Sequence, residues 1–592
     1  MPVLAPDSRA VLLDQLRPPV DYALEHAVGT TFTLDLGSAL IPPLAFAAGA
    51  LATTKNPMAI LASIRQASER IDLFCQAGCI VVPQQASDLM AFLEPMVHAV
   101  RPPRPGYLFH PKVWFLKYRN ENDVKFRLLI QSRNLTPDAC WDAVVSIDGN
   151  SGTRPQASNR PLVELLRSLP GLATTPIPAN RSNRILEFAE DIRRVSWELP
   201  PDATEMAFHM WGLTGPQPDV DFKGSRHLVV SPFVTDEGLD LVAPSARDLT
   251  LVSRVESLEE LAPESLKRTR RRTILDPNAD LNLVDADDEQ QRQSSLLSGL
   301  HAKLYAVERA NQAHLFLGSA NATEAAFGGN VEILVEFVGR WKTFGVNALL
   351  GPDGLGPLLQ DYDPPGGRES PATDDAQRAL DEFVRRVAAL PWKITVEAGA
   401  AGDYELTATT SSMPALPEGY WGNLELLTRP AYGCDLAGVD PFVYSEVELA
   451  DVSAFLVLRI TSPQGLAGGA VIPAMLLGDP AARFDEILAR QLDTPDKFLQ
   501  FLRMLLSLND PSTPGWMLGE GDGGGSFGSS AGGILESILR AMAVNPLALD
   551  DLDALILNLQ RDPERRHVLP VGLAELWPTI RAARDILTAA AL

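Results

Sequence analysis

The residues with the clearest chemical potential form a short pattern in the middle of the chain. His301 and Lys303 precede an apolar run that leads, after a polar turn and a second apolar run, to Ser319 and Asn321. Alternate residues of an extended chain point the same way, so His301 and Lys303 are predicted to lie on one face of a strand. An imidazole, an ammonium, a hydroxyl and an amide at one end of a strand pair form a cationic site that suits an anion.

An earlier segment repeats this pattern. His110 and Lys112 are followed by a predicted strand, Val124–Ile130, and then by Ser132 and Asn134. One His-x-Lys arises readily by chance in a chain with eight histidines, but two copies with the same sequel do not. The repeat therefore predicts two structural halves, each of which contributes half of one site.

The paired His-x-Lys and Ser-x-Asn patterns resemble those of the phospholipase D superfamily, over about residues 20 to 345. The spacing within each copy and the tails NLTPDACW and NATEAAFGGNVE are most similar to the tyrosyl-DNA phosphodiesterase and nuclease branches. The superfamily's usual acid is replaced by Lys117 in the first copy, whereas Glu308 occupies its position in the second. This departure disfavours a lipase more than a nuclease, because the phosphodiesterase branch also dispenses with that acid.

These residue types can cleave a phosphodiester without a metal ion or another cofactor. One neutral histidine attacks phosphorus to give a phosphohistidine, and the other, protonated, donates to the leaving oxygen. The transition state carries extra negative charge on its equatorial oxygens. Lys112 and Lys303 meet that charge as fixed cations, and Asn134 and Asn321 as amide donors.

The roles of the remaining site residues depend partly on the resemblance. By resemblance, His110 matches the nucleophile and His301 the acid and base, although the sequence alone does not fix that order. Ser132 and Ser319 are predicted to hydrogen-bond within the pocket. Glu332 follows the second pattern, and two interpretations are open: it orients an imidazole, or it ends a strand in solvent.

An acidic chain needs a local basic groove to bind a polyanion. The net charge of −24 argues against nucleic acid binding over the whole surface. The run from Lys267 to Arg272 is the densest basic cluster, and such runs are also typical of a solvated surface. Tyr107, Phe109 and Trp114 either stack bases or pack in the core. The predicted nucleic-acid-binding residues are Arg104, Arg133, Lys267, Arg268, Arg270, Arg271 and Arg272.

Composition indicates an ordinary globular protein with several domains. The 592 residues exceed what one core holds, and 46% of them are hydrophobic and 21% charged. Four cysteines predict a reducing compartment, and Cys75 with Cys79 lacks the second pair that a metal site needs. The first residues show no signal pattern, and the apolar run at 39–52 is too short to span a bilayer. We expect a cytoplasmic protein without a membrane segment.

Hydrophobic periodicity predicts an α/β fold with a C-terminal β-rich and helical accessory region. The resemblance implies that the α/β part consists of two phospholipase D-like α/β halves that form one pseudo-symmetric site. Within the first half we expect a helical pattern up to His26, a strand at Thr30–Leu36 and a helix at Ser87–Val100. The region beyond Gly339 has no catalytic pattern, so we expect it to be dispensable for basal chemistry. The predicted boundaries are 1–150 for the first half, 151–225 for a helical connector, 226–345 for the second half, 346–390 for a linker and helix, 391–475 for a β-rich domain and 476–592 for a helical region.

The resemblance implies a nuclease of a bacterial anti-phage defence system. Nucleic acid is the expected substrate, with DNA favoured, and a separate helicase or ATPase is the expected partner of the C-terminal region. Two other functions stay open at this point: a phospholipase or phosphatidyltransferase, and an inactive scaffold that only holds phosphate. The sequence leaves the oligomeric state open as well, with a homo-oligomer among the alternatives.

Overall fold

The computed structural model describes residues 12–51, 57–138, 140–244, 246–276, 299–369, 371–437, 441–490, 538, 556 and 569–591. Two large β-sheets and two four-stranded sheets, flanked by helices, make this an α/β protein, as the sequence predicted. In the part of the chain described, no helix has both the length and the apolar character needed to cross a membrane.

The first sheet has seven strands in the order β3-β2-β1-β4-β5-β6-β7. Its strands β1, β2 and β3 are parallel, and the other neighbours are antiparallel. The strands are β1 (Ala23–Thr31), β2 (Ile71–Gln76), β3 (Val97–Val100), β4 (Val113–Arg119), β5 (Val124–Gln131), β6 (Val144–Ser151) and β7 (Val195–Trp197). The α-helices around it are Leu12–Leu16, Leu36–Ala39, Ile41–Leu51, Pro57–Ser68, Arg160–Leu172 and Ala179–Ile192, with 3₁₀ helices at Asp88–Leu93 and Ala157–Asn159.

The second sheet has eight strands in the order β15-β11-β10-β9-β12-β13-β14-β8. Here β9, β10 and β11 are parallel, and the other neighbours are antiparallel. The strands are β8 (Ala203–Trp211), β9 (Arg226–Val230), β10 (Asp248–Val252), β11 (Arg271–Leu275), β12 (Leu304–Arg309), β13 (Gln312–Gly318), β14 (Glu332–Arg340) and β15 (Leu359–Asp361). The α-helices are Asp236–Val242, Val255–Glu260, Pro263–Arg268, Glu324–Gly328, Trp341–Phe344 and Val346–Leu349, with a 3₁₀ helix at Gly356–Leu358.

The two large sheets pack against each other through one hydrophobic core. Val113 and Ile130 of the first sheet and Leu304 and Ile333 of the second are fully buried or nearly so in this common cluster. Burial of such side chains contributes roughly 1.5–3 kcal/mol each, so the interface between the sheets is a major source of stability. The similar strand order is what a repeat produces, although a twofold relation between the halves stays a prediction.

The C-terminal region contains two four-stranded sheets, in the orders β20-β17-β16-β23 and β19-β18-β21-β22. Their strands are β16 (Lys393–Ala398), β17 (Tyr404–Thr409), β18 (Trp421–Leu426), β19 (Arg429–Asp435), β20 (Phe442–Val447), β21 (Phe455–Thr461), β22 (Ala467–Pro473) and β23 (Met475–Leu477). Its α-helices are Ala372–Ala388, Arg483–Arg490 and Val571–Ala591, with a 3₁₀ helix at Leu449–Asp451.

This C-terminal region shares a hydrophobic core with the first half. Phe455, Val471 and Trp577 belong to the same buried cluster as side chains of β1, β2 and β4. The Val471 amide donates to the Ile80 carbonyl at 2.9 Å. At Gly78, where φ is +78°, a Cβ would lie 2.6 Å from the Arg385 Cα, so the helix Ala372–Ala388 packs directly on this turn. The region is therefore an integral part of the fold, which argues against the expectation that it is dispensable.

Several sequence-based boundaries in the first half are wrong. The strand β1 begins at Ala23, inside the predicted helical pattern, and ends at Thr31, after which Asp35 caps the helix Leu36–Ala39. The predicted helix Ser87–Val100 is a 3₁₀ helix followed by β3, because Pro95 cannot continue a helix. In the first case, pairing with β2 and β4 overrides local periodicity.

Two segments predicted to connect domains instead contribute strands. The helical connector 151–225 includes β7 of the first sheet and β8 of the second, and the linker predicted within 346–390 includes β15. All three are edge strands, and β7 and β15 have only three residues each, too few to stand out as strands in the sequence. A Gly/Ser-rich stretch at 519–533, which the sequence predicts to be a flexible insert, lies outside the described residues.

Candidate active site

The two His-x-Lys patterns lie just ahead of β4 and β12 rather than inside strands, which corrects the prediction. Both segments are held by the opposite half. The His110 amide donates to the Val331 carbonyl at 3.0 Å, and the His301 amide donates to the Trp141 carbonyl at 2.9 Å. Each pattern therefore leaves its own sheet in order to pair with the other half. This exchange brings both patterns to the interface between the sheets.

His110 is oriented by a buried carboxylate of the second half. Its Nδ1 lies 2.8 Å from Glu332 Oε1, and the Ser319 hydroxyl donates to Glu332 Oε2. Ser319 Oγ in turn accepts from the Ile333 amide at 3.0 Å. Glu332 is 0% exposed, so it does not end a strand in solvent. Since a carboxylate only accepts, the imidazole carries its proton on Nδ1 and keeps the Nε2 lone pair free.

His301 is oriented by a carboxylate of the first half. Its Nδ1 lies 3.0 Å from Asp142 Oδ1, which also accepts from the Ser132 hydroxyl at 3.2 Å. The Ala143 amide donates to Ser132 Oγ at 2.9 Å. The sequence interpretation missed Asp142. The signal was present, because an acid follows the Ser-x-Asn of each copy and stands at the start of the next strand.

Lys112 and Lys303 are both fully buried beside the histidines. Lys112 Nζ donates to the His110 carbonyl at 3.1 Å, and Lys303 Nζ donates to the His301 carbonyl at 2.7 Å. Burial lowers the pKa of Lys112 well below its usual value, and the charge of Lys303 lowers it further. Burial lowers the pKa of Lys303 to about 7. Two lysines buried in one site favour a bound anion. The negative charge of that anion would raise both lysine pKa values and so keep the side chains protonated.

Both imidazoles are neutral at pH 7. Burial lowers the pKa of His110 to about 4, with Glu332 opposing the shift and Lys112 adding to it. Burial also lowers the pKa of His301, where Asp142 opposes the shift and Lys303 adds to it. A neutral imidazole is the form that attacks phosphorus. The negative charge of a bound phosphate favours the protonated form of the second imidazole.

The two asparagines and one aromatic ring complete the site. Asn134 Oδ1 lies 3.4 Å from the Thr33 amide that donates to it, and Asn321 Oδ1 is buried without a hydrogen-bond partner among the described residues. The Phe32 ring lies edge-on to His110, with ring centroids 5.0 Å apart, and 5.8 Å from Lys112 Nζ. The sequence interpretation missed Phe32, which follows β1 at a distance from either pattern.

The predicted basic run does not gather at the site. Arg270 precedes β11, and Arg272 within β11 lies in register with Leu251 of β10. The site is at the carboxyl ends of β9 and β10, where β12 begins, whereas Arg270 pairs with Asp248 at the start of β10, about 13 Å away along the strand. Each cation of the run also has an acidic partner. The pairs are Lys267 with Glu264, Arg268 with Asp240, Arg270 with Asp248, Arg271 with Asp361 and Arg272 with Asp363. The structure therefore corrects the prediction that these residues form a phosphate groove near the site.

Arg133 lies near the His301 half-site, and Arg104 contacts the second half. Arg104 Nη1 donates to the Gly328 carbonyl at 3.2 Å, and Arg133 Nη1 lies 4.0 Å from Asp142 Oδ2. Lys117, in contrast, pairs with Glu25 and Asp191 near the far end of β4. Of the three aromatic residues considered, Phe109 and Trp114 are buried in the core, and Tyr107 is 37% exposed.

The other histidines and the cysteines have structural surroundings. His26 and His98 both bond Asp72, and His209 and His314 both bond Glu336. His227 bonds the Phe222 carbonyl, and His567 lies outside the described residues. None of the four cysteines, all of which lie in the described ranges, forms a disulfide. Within the described ranges, no cluster of three or more His, Cys, Asp or Glu side chains has the arrangement of a metal site.

Comparison with solved structures finds several with partly similar folds. A mutant of the yeast tyrosyl-DNA phosphodiesterase is 12% identical with a TM-score of 0.32, covering 55% of this chain and 84% of that one. Polyphosphate kinase from Porphyromonas gingivalis is 12% identical with a TM-score of 0.29, covering 55% and 42%. Phosphatidylserine synthase from Haemophilus influenzae Rd KW20 is 9% identical with a TM-score of 0.34, covering 64% and 91%. No protein-family model and no curated protein sequence matches the chain.

Proposed function

We propose that this chain is a phospholipase D-like phosphodiesterase that cleaves nucleic acid without a metal ion, through a phosphohistidine. One observation carries the proposal. Each histidine of the repeated pattern is held through Nδ1 by a carboxylate of the opposite half, Glu332 for His110 and Asp142 for His301. Purely structural histidines do not need a matched pair of this kind beside two buried lysines.

In the first step, His110 Nε2 attacks phosphorus and forms a nitrogen–phosphorus bond while the phosphorus–oxygen bond to the leaving group breaks. Protonated His301 gives its proton to the departing oxygen. In the second step, neutral His301 takes a proton from water, which attacks phosphorus and releases His110. Lys112 and Lys303 stabilise the negative charge of both transition states.

The Lys112 and Lys303 ammonium groups make this chemistry independent of a divalent ion. Both lie fully buried beside the histidines, where a charge interacts far more strongly than in water. Asn134 and Asn321 add amide groups at the end of the following strand in each half. This set of donors is preorganised, because each lysine is tied to a backbone carbonyl of its own pattern.

The choice of nucleic acid comes from the sequence resemblance to the nuclease branches. DNA as the favoured substrate, the anti-phage role and the helicase or ATPase partner are parts of the proposal that have the same basis. The cytoplasmic location is a further part, based on the cysteine usage, and a homo-oligomer stays one alternative. The lipid alternative is tested by including phosphatidylcholine among the substrates.

The test is cleavage in EDTA. Labelled single-stranded DNA, double-stranded DNA, RNA and phosphatidylcholine are each incubated with the purified protein and a chelator. We expect cleavage of at least one nucleic acid and none of the lipid. A His110→Ala/His301→Ala preparation controls for contaminating nucleases. A strict requirement for Mg²⁺ or Mn²⁺, or cleavage of the lipid alone, would overturn the proposal.

A further inference from the structure

An arginine that the repeated pattern does not include lies beside the His301 half-site. Arg254 follows β10 by two residues, and its Nε donates to the Leu300 carbonyl at 2.9 Å. Leu300 is the residue directly before His301. The Arg254 guanidinium also lies over the Phe233 ring, 5.2 Å from its centroid. Two contacts thus hold this cation at the edge of the site.

The charge of Arg254 has no acidic partner in the part of the chain described. No carboxylate there lies within 4.0 Å of its guanidinium, whereas every cation of the run from Lys267 to Arg272 has such a partner. The field of Arg254 reaches the site, since its positive charge is among the causes that lower the pKa of Lys303. An unpaired arginine at the edge of an anion site is suited to a second anionic group.

Phe233 is unusual for an aromatic residue near a predicted active site, because it is 47% exposed. Its loop is fixed by the Ser231 hydroxyl, which donates to the Phe233 carbonyl at 2.7 Å. A guanidinium that lies over an aromatic ring keeps its plane and loses less conformational freedom on binding. The exposed part of the ring remains available to a sugar or base.

The first half lacks this pair. There the Thr31 hydroxyl donates to the Thr33 carbonyl at 2.8 Å, so a threonine takes the place that Phe233 has in the second half. Gly78 follows β2 by two residues, at the position that corresponds to Arg254 after β10. The cation and the exposed ring therefore occur on one side of the site only, as a substrate with two different ends requires.

We infer that Arg254, oriented by Phe233, binds the phosphate next to the scissile one, on the His301 side of the site. The inference deepens the proposed function and rests on it. The substrate is then a polynucleotide strand with at least one phosphate beyond the bond that is cut. Because His301 protonates the leaving oxygen, this strand segment is the one that departs in the first step.

The experiment compares two substrates that differ in the second phosphate. Bis(4-nitrophenyl) phosphate has one phosphate, and a short labelled oligonucleotide has several. We expect Arg254→Ala to lower kcat/KM for the oligonucleotide about 10-fold to 100-fold, the range of one charged hydrogen bond. The loss should be at least about fivefold smaller for bis(4-nitrophenyl) phosphate, which has no second phosphate to contact Arg254. Phe233→Ala should reduce oligonucleotide cleavage less than Arg254→Ala does.

Arg270→Ala is the matched control, since it removes the same charge at the other end of β10. It should change neither rate by more than about twofold, because Arg270 is already paired with Asp248. An equal loss of both activities in Arg254→Ala would overturn the inference, because Arg254 would then act through the His301 segment. Unchanged oligonucleotide cleavage in Arg254→Ala would overturn it as well.

Failure of the proposed function would give a different result. Wild-type protein would then cleave neither substrate, and the inference would be judged by oligonucleotide binding in fluorescence anisotropy. Weaker binding by Arg254→Ala but not by Arg270→Ala would support a phosphate contact in a protein with another activity. Equal binding by both variants and wild type would overturn the inference.

Discussion

The His110 and His301 half-sites use the same residue types in different surroundings. The Glu332 side chain beside His110 is 1% exposed, whereas the Asp142 side chain beside His301 is 14% exposed. Phe32 covers His110, and Arg254 flanks the segment of His301. The drier half-site suits a neutral nucleophile, and the wetter one suits a group that exchanges protons with water.

The largest expected effect comes from replacing the histidines. His110→Ala cannot form the covalent intermediate, so we expect a loss of roughly 10⁵-fold or more. His301→Ala loses the proton donor, which is typically worth about 10²–10⁴-fold, so slow cleavage should persist. A phosphohistidine should then accumulate on His110, because water has no base.

Mass spectrometry of both variants after exposure to substrate checks this assignment. An adduct on His301 in the His110→Ala protein would reverse the roles and invert the comparison between the half-sites. No adduct in either variant, with both fully active, would show that these histidines do not perform the chemistry.

Replacing Glu332 should lower activity more than replacing Asp142, in line with the difference between the half-sites. We expect Glu332→Gln to lower kcat about 10³-fold, since it removes the buried group that fixes the His110 tautomer. Asp142→Asn should cost only about 10-fold, because water can reach that side chain. The pH–rate profile separates positioning from folding: both variants should shift a limb of the profile, which a merely structural defect would not do. Equal losses would remove the distinction between the half-sites.

The stability of the first half should depend on the C-terminal region. Glu94 and Arg483 form a buried ion pair at 2.7 Å between the two regions. Glu94→Ala leaves the buried Arg483 with Asp479 as its remaining acidic partner and removes the acceptor of the Ala454 amide. We therefore expect it to lower the free energy of unfolding by about 3 kcal/mol, the lower end of the range for a broken buried pair. The control is Glu190→Ala, whose exposed pairs with Arg167 and Arg193 should contribute at most about 1 kcal/mol.

Urea denaturation of the full chain provides both values. If Glu94→Ala is no more destabilising than Glu190→Ala, the two regions are energetically independent. The sequence-based expectation of a dispensable C-terminal region would then regain support.

The smallest expected effect is the pH dependence of kcat/KM, which reports the free protein. His110 is neutral above a pKa of about 4, and the acid form of His301 is lost as pH rises through a pKa below 6.5. We therefore expect an optimum between about pH 4 and 6.5, with a fall of about tenfold per unit above the His301 pKa. Loss of the Lys303 charge, near pH 7, should steepen that fall. An optimum at pH 8 would contradict these roles.

The sequence predicted which residues perform the chemistry better than it predicted which residues position them. The histidines, the lysines and Glu332 could be found because a repeat marks them in local spacing. Asp142 has the same signal, an acid after the Ser-x-Asn, although the sequence interpretation missed it. Phe32 has none, because it meets His110 only through tertiary packing. The prediction for the basic run was wrong because it also depended on tertiary contacts. Local charge density carries no information about Asp240 or Asp361, which neutralise Arg268 and Arg271 in the fold.

The shared core between the first half and the C-terminal region has a consequence for synthesis on the ribosome. Side chains such as Leu135 are made early, but Trp577, a member of the same buried cluster, is made about 440 residues later. At about 5–20 residues per second, that interval lasts roughly 20–90 s. The second half, whose last strand is β15, completes its sheet well before then. We therefore expect the second half to become protease-resistant first on the nascent chain. Strands β1 to β5 should meanwhile still expose an apolar face to solvent.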